Sequence, residues 1–276
     1  MCLIAFAWKT RPDLPLVLAS NRDEYFDRPA APAGWWRQPG SSADILGGRD
    51  LQAGGTWMGI TATGRFAALT NFRSPNDRKP DAPSRGPLVA DFLAGQLPPG
   101  EYLDTVATRA AAFNGFSLMC GDVASGALWI YSNRSGSPPE ALGPGIYGLS
   151  NALLDTPWPK LLAARDRLRV GLDERSPDLV EHLLDTLADP ELAAEYALPA
   201  TGVDPALEKA LSAIFIVPAA RPNHPAPYGT RTSTILTVAG DGTVVYHERD
   251  FTALGTHTDR VVRFELPAPV PAGAPR

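Results

Sequence analysis

Cysteine is nearly missing from this chain: two occur in 276 residues, Cys2 and Cys120. Two thiols so far apart give neither a disulfide framework nor a zinc-type cysteine cluster. Histidine is scarce too. His182, His224, His247 and His257 show no metal-ligand spacing, and each reads as a surface or helix-face residue. No basic run or stripe offsets the net charge of −5, so binding to nucleic acid or to an anionic membrane lacks an electrostatic basis. No stretch approaches the roughly 20 apolar residues of a membrane span. The apolar start is broken by Lys9 and Arg11 and leads into no cleavage-like pattern, which argues against a secretory signal. Phosphate loops are lacking as well. Gly47-Gly48-Arg49-Asp50 and Gly54-Gly55-Thr56-Trp57 are glycine-rich, but no Gly-Lys-Ser/Thr occurs and strands rather than helices follow. They read as tight turns that bring backbone close to a neighbour. The expected setting is reducing and cytoplasmic.

What is present is an ordinary globular composition, 44% hydrophobic and 20% charged. The 28 prolines, about twice average usage, gather in loops and in a tail over 267–276 that lacks apolar side chains to dock. Residues 1–266 are expected to form one domain, since no linker divides them. Residues 2–8 and 15–20 are apolar runs separated by the turn signal Arg11-Pro12-Asp13. Strand pairs are expected at 56–61 with 65–70, at 116–120 with 127–131, and at 233–238 with 243–247; a last strand falls near 260–266. Short turns between neighbours imply antiparallel pairing. Leu88, Val89, Phe92 and Leu93 repeat at helical spacing with Gly95 as a stop, and Leu103, Val106 and Ala110 continue the theme. Leu161, Leu162 and Leu168 mark a third helix; Ser176-Pro177 announces a fourth over 179–187. Strand pairs, helices and strand pairs again make an α+β protein whose sheets are covered by helices.

Cys2 carries the most chemistry. Loss of Met1 would leave it with a thiol and an α-amine on adjacent carbons. The amine, with a reference pKa of about 7.7–8.0, can serve as a built-in base, and the thiolate is a strong nucleophile. The plainer reading is a small apolar residue that starts a strand. Asn21-Arg22-Asp23-Glu24 follows directly on an apolar strand. Alternation places Arg22 and Glu24 on one face, Asn21 and Asp23 on the other. Beside Cys2, a carboxylate could hold the amine and Arg22 could favour the thiolate; otherwise the segment is a surface turn with an internal ion pair. Asn71 and Asn151 each close an apolar strand, where a side-chain amide can donate to an oxyanion or simply form a turn. Arg231 enters the hairpin after Gly229-Thr230, a position that surface charge also explains.

Taken together, these segments resemble the NRDE family, also called transport-and-Golgi-organisation homologues. The resemblance is carried, in order, by Met1-Cys2, Ala19-Ser20-Asn21-Arg22-Asp23-Glu24, Arg28-Pro29, Gly54-Gly55-Thr56-Trp57-Met58-Gly59 and Ala67-Ala68-Leu69-Thr70-Asn71. It continues through Tyr147-Gly148-Leu149-Ser150-Asn151, Pro157-Trp158-Pro159-Lys160 and Tyr228-Gly229-Thr230-Arg231-Thr232-Ser233-Thr234. That family is in turn similar to cysteine-type N-terminal-nucleophile hydrolases that cleave bile-salt amides and penicillin V. The likeness implies a four-layer αββα sandwich of two antiparallel sheets. It also implies a site made of Cys2, Arg22 with Asp23, Asn71, Asn151 and Arg231. In those hydrolases the arginine and aspartate stand three apart, whereas here they are adjacent, so Asp23 and Glu24 both remain candidates to meet the amine. The expected activity is hydrolysis of a linear amide or related acyl compound, with no cofactor required. The family's characterised members, implicated in haem trafficking and acyl-lipid homeostasis, imply a second reading: a non-catalytic binder of haem or another hydrophobic ligand. Cys2, Met58 or Met119 would then be available as an axial ligand.

Overall fold

The computed structural model describes residues 2–176, 178–222 and 224–267, with only the main chain described for Cys2. The first part of the chain runs β1 (Cys2–Trp8), β2 (Leu16–Tyr25), β3 (Ala30–Arg37), β4 (Asp44–Asp50), β5 (Met58–Thr61) and β6 (Arg65–Asn71). Two helices follow, α1 (Gly86–Ala94) and α2 (Pro99–Arg109), then β7 (Phe116–Asp122), β8 (Ala127–Ser132), β9 (Glu140–Ala141) and β10 (Gly145–Leu149). The last part holds α3 (Pro159–Asp173), α4 (Leu179–Leu187), α5 (Pro205–Ala210), β11 (Ala219–Arg221), β12 (His224–Val238), β13 (Thr243–Phe251) and β14 (His257–Glu265). One sheet has the order β10-β1-β2-β12-β13-β14, with β11 on β12; the other runs β3 to β9 in sequence order. The pairings are antiparallel throughout.

Alternation along β1 explains the layering. Ile4, Phe6 and Trp8 point into a core shared with Leu46, Met58, Ile60 and Met119 of the other sheet. Leu3, Ala5 and Ala7 meet Leu161, Leu168, Leu183 and Leu184 of α3 and α4. A strand buried on both faces must be apolar at every position, which is why 2–8 reads as a continuous run. Burying a side chain as large as Phe6 contributes about 1.5–3 kcal/mol before ordering entropy. On the far side, Leu88, Phe92, Leu103 and Val106 of α1 and α2 cover Ala67, Leu69, Leu118 and Cys120. Helices, sheet, sheet, helices: the expected four-layer αββα sandwich is the observed one.

Two local readings change. Gly47 and Gly48, read as a turn, lie inside β4. Their need for close approach is genuine: a Cβ on Gly47 would sit 2.5 Å from the Met58 carbonyl oxygen, and one on Gly48 2.3 Å from the Trp57 ring. The residue capping α4 is Asp178 rather than Ser176. Pro177, and the expected tail from residue 268 onward, lie outside the described residues.

Candidate functional site

Strand β2 stays buried after its apolar half ends. Ser20, Asn21, Arg22 and Asp23 are 4%, 0%, 6% and 2% exposed, so the polar segment is an interior one and the surface-turn reading fails. Register sets its neighbours. The main chain of Cys2 pairs with Arg22, and Leu3 with Asn21. On the other side Asp23 pairs with Thr230 and Arg22 with Thr232, across a shift that sets Arg231 out of phase.

The two faces of this segment do different things. Toward the helices, Asn21 donates to the carbonyls of Leu187 (2.8 Å) and Ile214 (2.9 Å) and accepts from Ser233 Oγ (2.6 Å). Those bonds tie β2 to the end of α4 and the chain beyond α5. Asp23 accepts from Thr230 Oγ1 at 2.7 Å. Burial pushes its carboxyl above the ordinary carboxylate range, opposed by the charges of Lys160 and Arg73 among others. Lys160 is itself buried and donates to the Leu211 carbonyl at 3.0 Å.

Toward the second sheet, the Arg22 guanidinium lies 4.2 Å from the centre of the Trp57 ring, and no carboxylate among the described residues comes within ion-pair distance of it. Arg22, Trp57, Thr56, Glu24, Asn71 and Arg85 surround a cavity of about 130 Å³. Outside it a wider vestibule of about 840 Å³ shares Glu24, Asn71 and Arg85 and is walled by Tyr25, His224 and Tyr228. The Tyr25 and His224 rings stack with centroids 3.6 Å apart. Glu24 is half-buried; it accepts from the Tyr25 main-chain N–H at 2.9 Å and stands 3.8 Å from Arg28, which binds Asp50 at 2.7 Å.

The asparagines come together although they are 80 residues apart: Asn151 Nδ2 donates to the Asn71 carbonyl at 2.9 Å. Asn71 closes β6 and lines the cavity; Asn151, fully buried, stands behind it. Arg231 does not line the cavity. Its guanidinium donates to the carbonyls of Tyr25 (3.2 Å) and Arg28, so it braces the turn between β2 and β3. Met58 and Met119, the expected haem ligands besides Cys2, are packed in the inter-sheet core at 1% and 0% exposure. That placement removes both as ligands for a group in the cavity. Cys120 is fully buried under α1 and α2, and burial pushes its thiol well above the ordinary range.

Several residues of this region were not singled out in the sequence. Arg73 and Glu208 form a buried ion pair, with Arg73 4.8 Å over the Trp158 ring. Glu248 is fully buried between the sheets. It accepts from the Ala33 main-chain N–H through Oε1, while Oε2 has no hydrogen-bond partner among the described residues. Burial, then the neighbouring Asp250, pushes its carboxyl up to about 8 against the pull of Arg22 and Arg260. Trp57, Trp158 and Lys160 stood within recognisable motifs; Arg73, Glu208 and Glu248 carried no signal, because their partners are distant in sequence.

The arrangement can hold a small group against Arg22, Trp57 and Asn71 at the end of the strand pair that begins with Cys2. Among known proteins, the chain is 38% identical over 263 residues to the Transport and Golgi organization 2 homolog of Mus musculus, across 90% of this chain and 92% of that one. To the Homo sapiens homolog it is 37% identical over 268 residues, again across 90% and 92%. A conjugated bile acid hydrolase from Clostridium perfringens is similar in structure, with TM-score 0.48 and 12% identity over 95% of this chain and 92% of that one. No helix among the described residues is long and apolar enough to cross a membrane. The sequence model of Transport and Golgi organisation 2 matches residues 1–253, and the chain belongs to that family.

Proposed function

We propose that the protein is a hydrolase of linear amides or related acyl compounds, with Cys2 as its nucleophile once Met1 is removed. One observation carries this reading: the main-chain register that sets Cys2 opposite Arg22, at the cavity lined by Arg22, Trp57 and Asn71. In the proposed reaction the thiolate attacks the amide carbonyl and the bond to nitrogen breaks with a proton supplied by the α-ammonium. Water then cleaves the thioester and releases the acid. Asn71, with Asn151 behind it, supplies amide donors to the oxyanion. Arg22 favours the thiolate, since a cation without a carboxylate partner stabilises a nearby anion. Either Asp23 or Glu24 orients the amine. A reducing, cytoplasmic setting keeps such a thiol available, and residues 1–266 act as one domain.

A second reading is favoured by the breadth of the vestibule: its aromatic wall of Tyr25, His224 and Tyr228 suits a bound acyl or haem-like ligand that is carried without turnover. Intact mass separates the two. The mature protein is expected to lack one methionine and to gain one equivalent of an acyl chloromethyl ketone, an electrophilic amide mimic. Peptide mapping should place the adduct on Cys2 and leave Cys120 unmodified. A homogeneous Met1-bearing protein from its native host, or labelling at Cys120, refutes the hydrolase and leaves the carrier.

A further inference from the structure

Behind the two asparagines stands a pair of charges that the cavity does not reach. The Arg73 and Glu208 side chains are each 4% exposed and joined by a hydrogen-bonded ion pair across 135 residues of sequence. The second oxygen of Glu208 accepts from Thr201 Oγ1 at 2.5 Å, and Trp158 supports the guanidinium from one face. Charges removed this far from water stabilise a fold no better than well-packed apolar residues of the same volume. Burial is indeed the first influence on Arg73, drawing its pKa down. The pair therefore calls for a role other than stability, and its contacts supply one.

Arg73 holds Asn151 at two points. Its main-chain N–H donates to the Asn151 carbonyl at 2.7 Å, and its Nη2 reaches Asn151 Oδ1 at 3.5 Å. A guanidinium has donors and no acceptor, so it can face only the oxygen of the amide. That choice turns Nδ2 the other way, where it donates to the Asn71 carbonyl at 2.9 Å and keeps a second N–H in hand. Without Arg73 one of the two contacts that orient the amide is lost, and only the Asn71 carbonyl is left to oppose a flip that would set acceptor against acceptor. Glu208 fixes the guanidinium that makes the choice, and it does so from α5, a separate element.

We propose that Arg73, held by Glu208, is a positioning residue that sets the amide orientation of Asn151 and, through it, the placement of Asn71 at the cavity. The orientation stands apart from any activity; only its catalytic consequence rests on the hydrolase reading above. Arg73 is also one of the charges drawing Asp23 down, so the same group bears on both sides of the site.

The test uses the full chain with asparagine side chains labelled with 15N. The Asn151 amide is assigned by its disappearance in Asn151→Asp. The double variant Arg73→Met/Glu208→Leu replaces the pair by apolar residues and leaves neither charge of the pair buried alone, so its melting temperature is expected within a few degrees of wild type. The Asn151 amide signals are expected to shift and to exchange with water at least tenfold faster. Labelling of Cys2 by the chloromethyl ketone is expected to slow at least tenfold at saturating probe, with the half-saturating concentration little changed. Arg73→Lys, which keeps the charge and loses the fork, should recover part of both. Should the double variant fail to fold, Glu208→Gln carries the same amide measurement and should move it in the same direction. Unchanged amide signals overturn the proposal, whatever the labelling does. If wild-type Cys2 takes no label at all, the hydrolase reading fails, while shifted amide signals still sustain the positioning role.

Discussion

Two buried arginines in this molecule rest on tryptophans, and only one has a carboxylate. Arg73 lies on Trp158 and meets Asn151 and Glu208, the latter held in turn by Thr201. Arg22 lies on Trp57 at 6% exposure, without an ion-pair partner among the described residues, and faces a cavity. The ring gives each guanidinium a favourable face and a fixed plane, but the remaining donors are spent differently. At Arg73, Nη1 meets Glu208 and Nη2 meets Asn151, while Nε has no partner among the described residues. Arg22 has no such partner among the described residues and borders the cavity, where the proposed thiolate or a bound anion would supply the opposite charge that a buried cation otherwise lacks at a cost. In the proposed reading the first arginine shapes a site and the second belongs to it.

The sharpest break in that comparison is Arg73→Met alone. It abandons Glu208 in the interior, and breaking a buried pair from one side typically costs about 3–5 kcal/mol. Urea denaturation should show that loss, whereas Arg22→Met, which abandons no carboxylate, should cost at most about 1 kcal/mol. Equal losses would mean that the two arginines do the same work.

The next effect runs the other way. Arg22→Lys and Asp23→Asn are each expected to slow Cys2 labelling by about 10–100-fold while changing stability by about 1 kcal/mol or less, a separation expected of site residues. Glu24→Gln belongs in the same series, because both Asp23 and Glu24 line the cavity. The carboxylate whose change matters is the one that meets the amine. Labelling per folded molecule that survives all three changes would remove the segment from the site.

The smallest effect concerns Glu248, the buried carboxyl within the influence of Arg22, Asp250 and Arg260. Its pKa is raised on folding, so its contribution to stability is fully present below the ordinary carboxylate range and is lost as pH rises to about 8. Asp250, also raised by burial, adds a change of the same sign. Glu248→Gln removes the first of these. Relative to wild type the variant should gain stability as pH rises from 5 to about 8 and no more beyond it. Denaturation at pH 5, 7 and 9 reads this directly, and parallel curves would mean that Glu248 does not titrate in that range.

How far the sequence revealed this depended on which interactions were local. Strand β1, the β5–β6, β7–β8 and β12–β13 hairpins and helix α1 were legible because alternation, helical spacing and glycine turns are properties of neighbouring residues. The β3–β4 pair was not, because Pro32, Gly34, Gly47 and Gly48 speak against strand; Gly47 and Gly48 are there for contact with Met58 and Trp57. Arg22, Asp23, Glu24, Asn71 and Asn151 were legible as polar residues at the ends of apolar strands. The division of labour among them was not. Arg231 looked like a member of the site and is a brace, a distinction made by the carbonyls of Tyr25 and Arg28. Arg73 and Glu208 were invisible because each makes sense only beside the other.

The alternating faces of β2 also set how this protein can change. Asn21 serves the helical layer, Arg22 and Glu24 the cavity, and the strand is buried on both sides from Leu16 to Asp23. Substitution at one position leaves the other face untouched. Loss of a single residue between Leu16 and Ala19 would instead turn every following side chain over, placing an arginine where Asn21 meets Leu187 and Ile214 and an aspartate on Trp57. This part of the chain can vary in its letters and not in its length, so insertions and deletions should collect in the turn around Arg11-Pro12-Asp13, outside the phase of the strand, rather than at Asp27-Arg28, where Arg231 holds the turn.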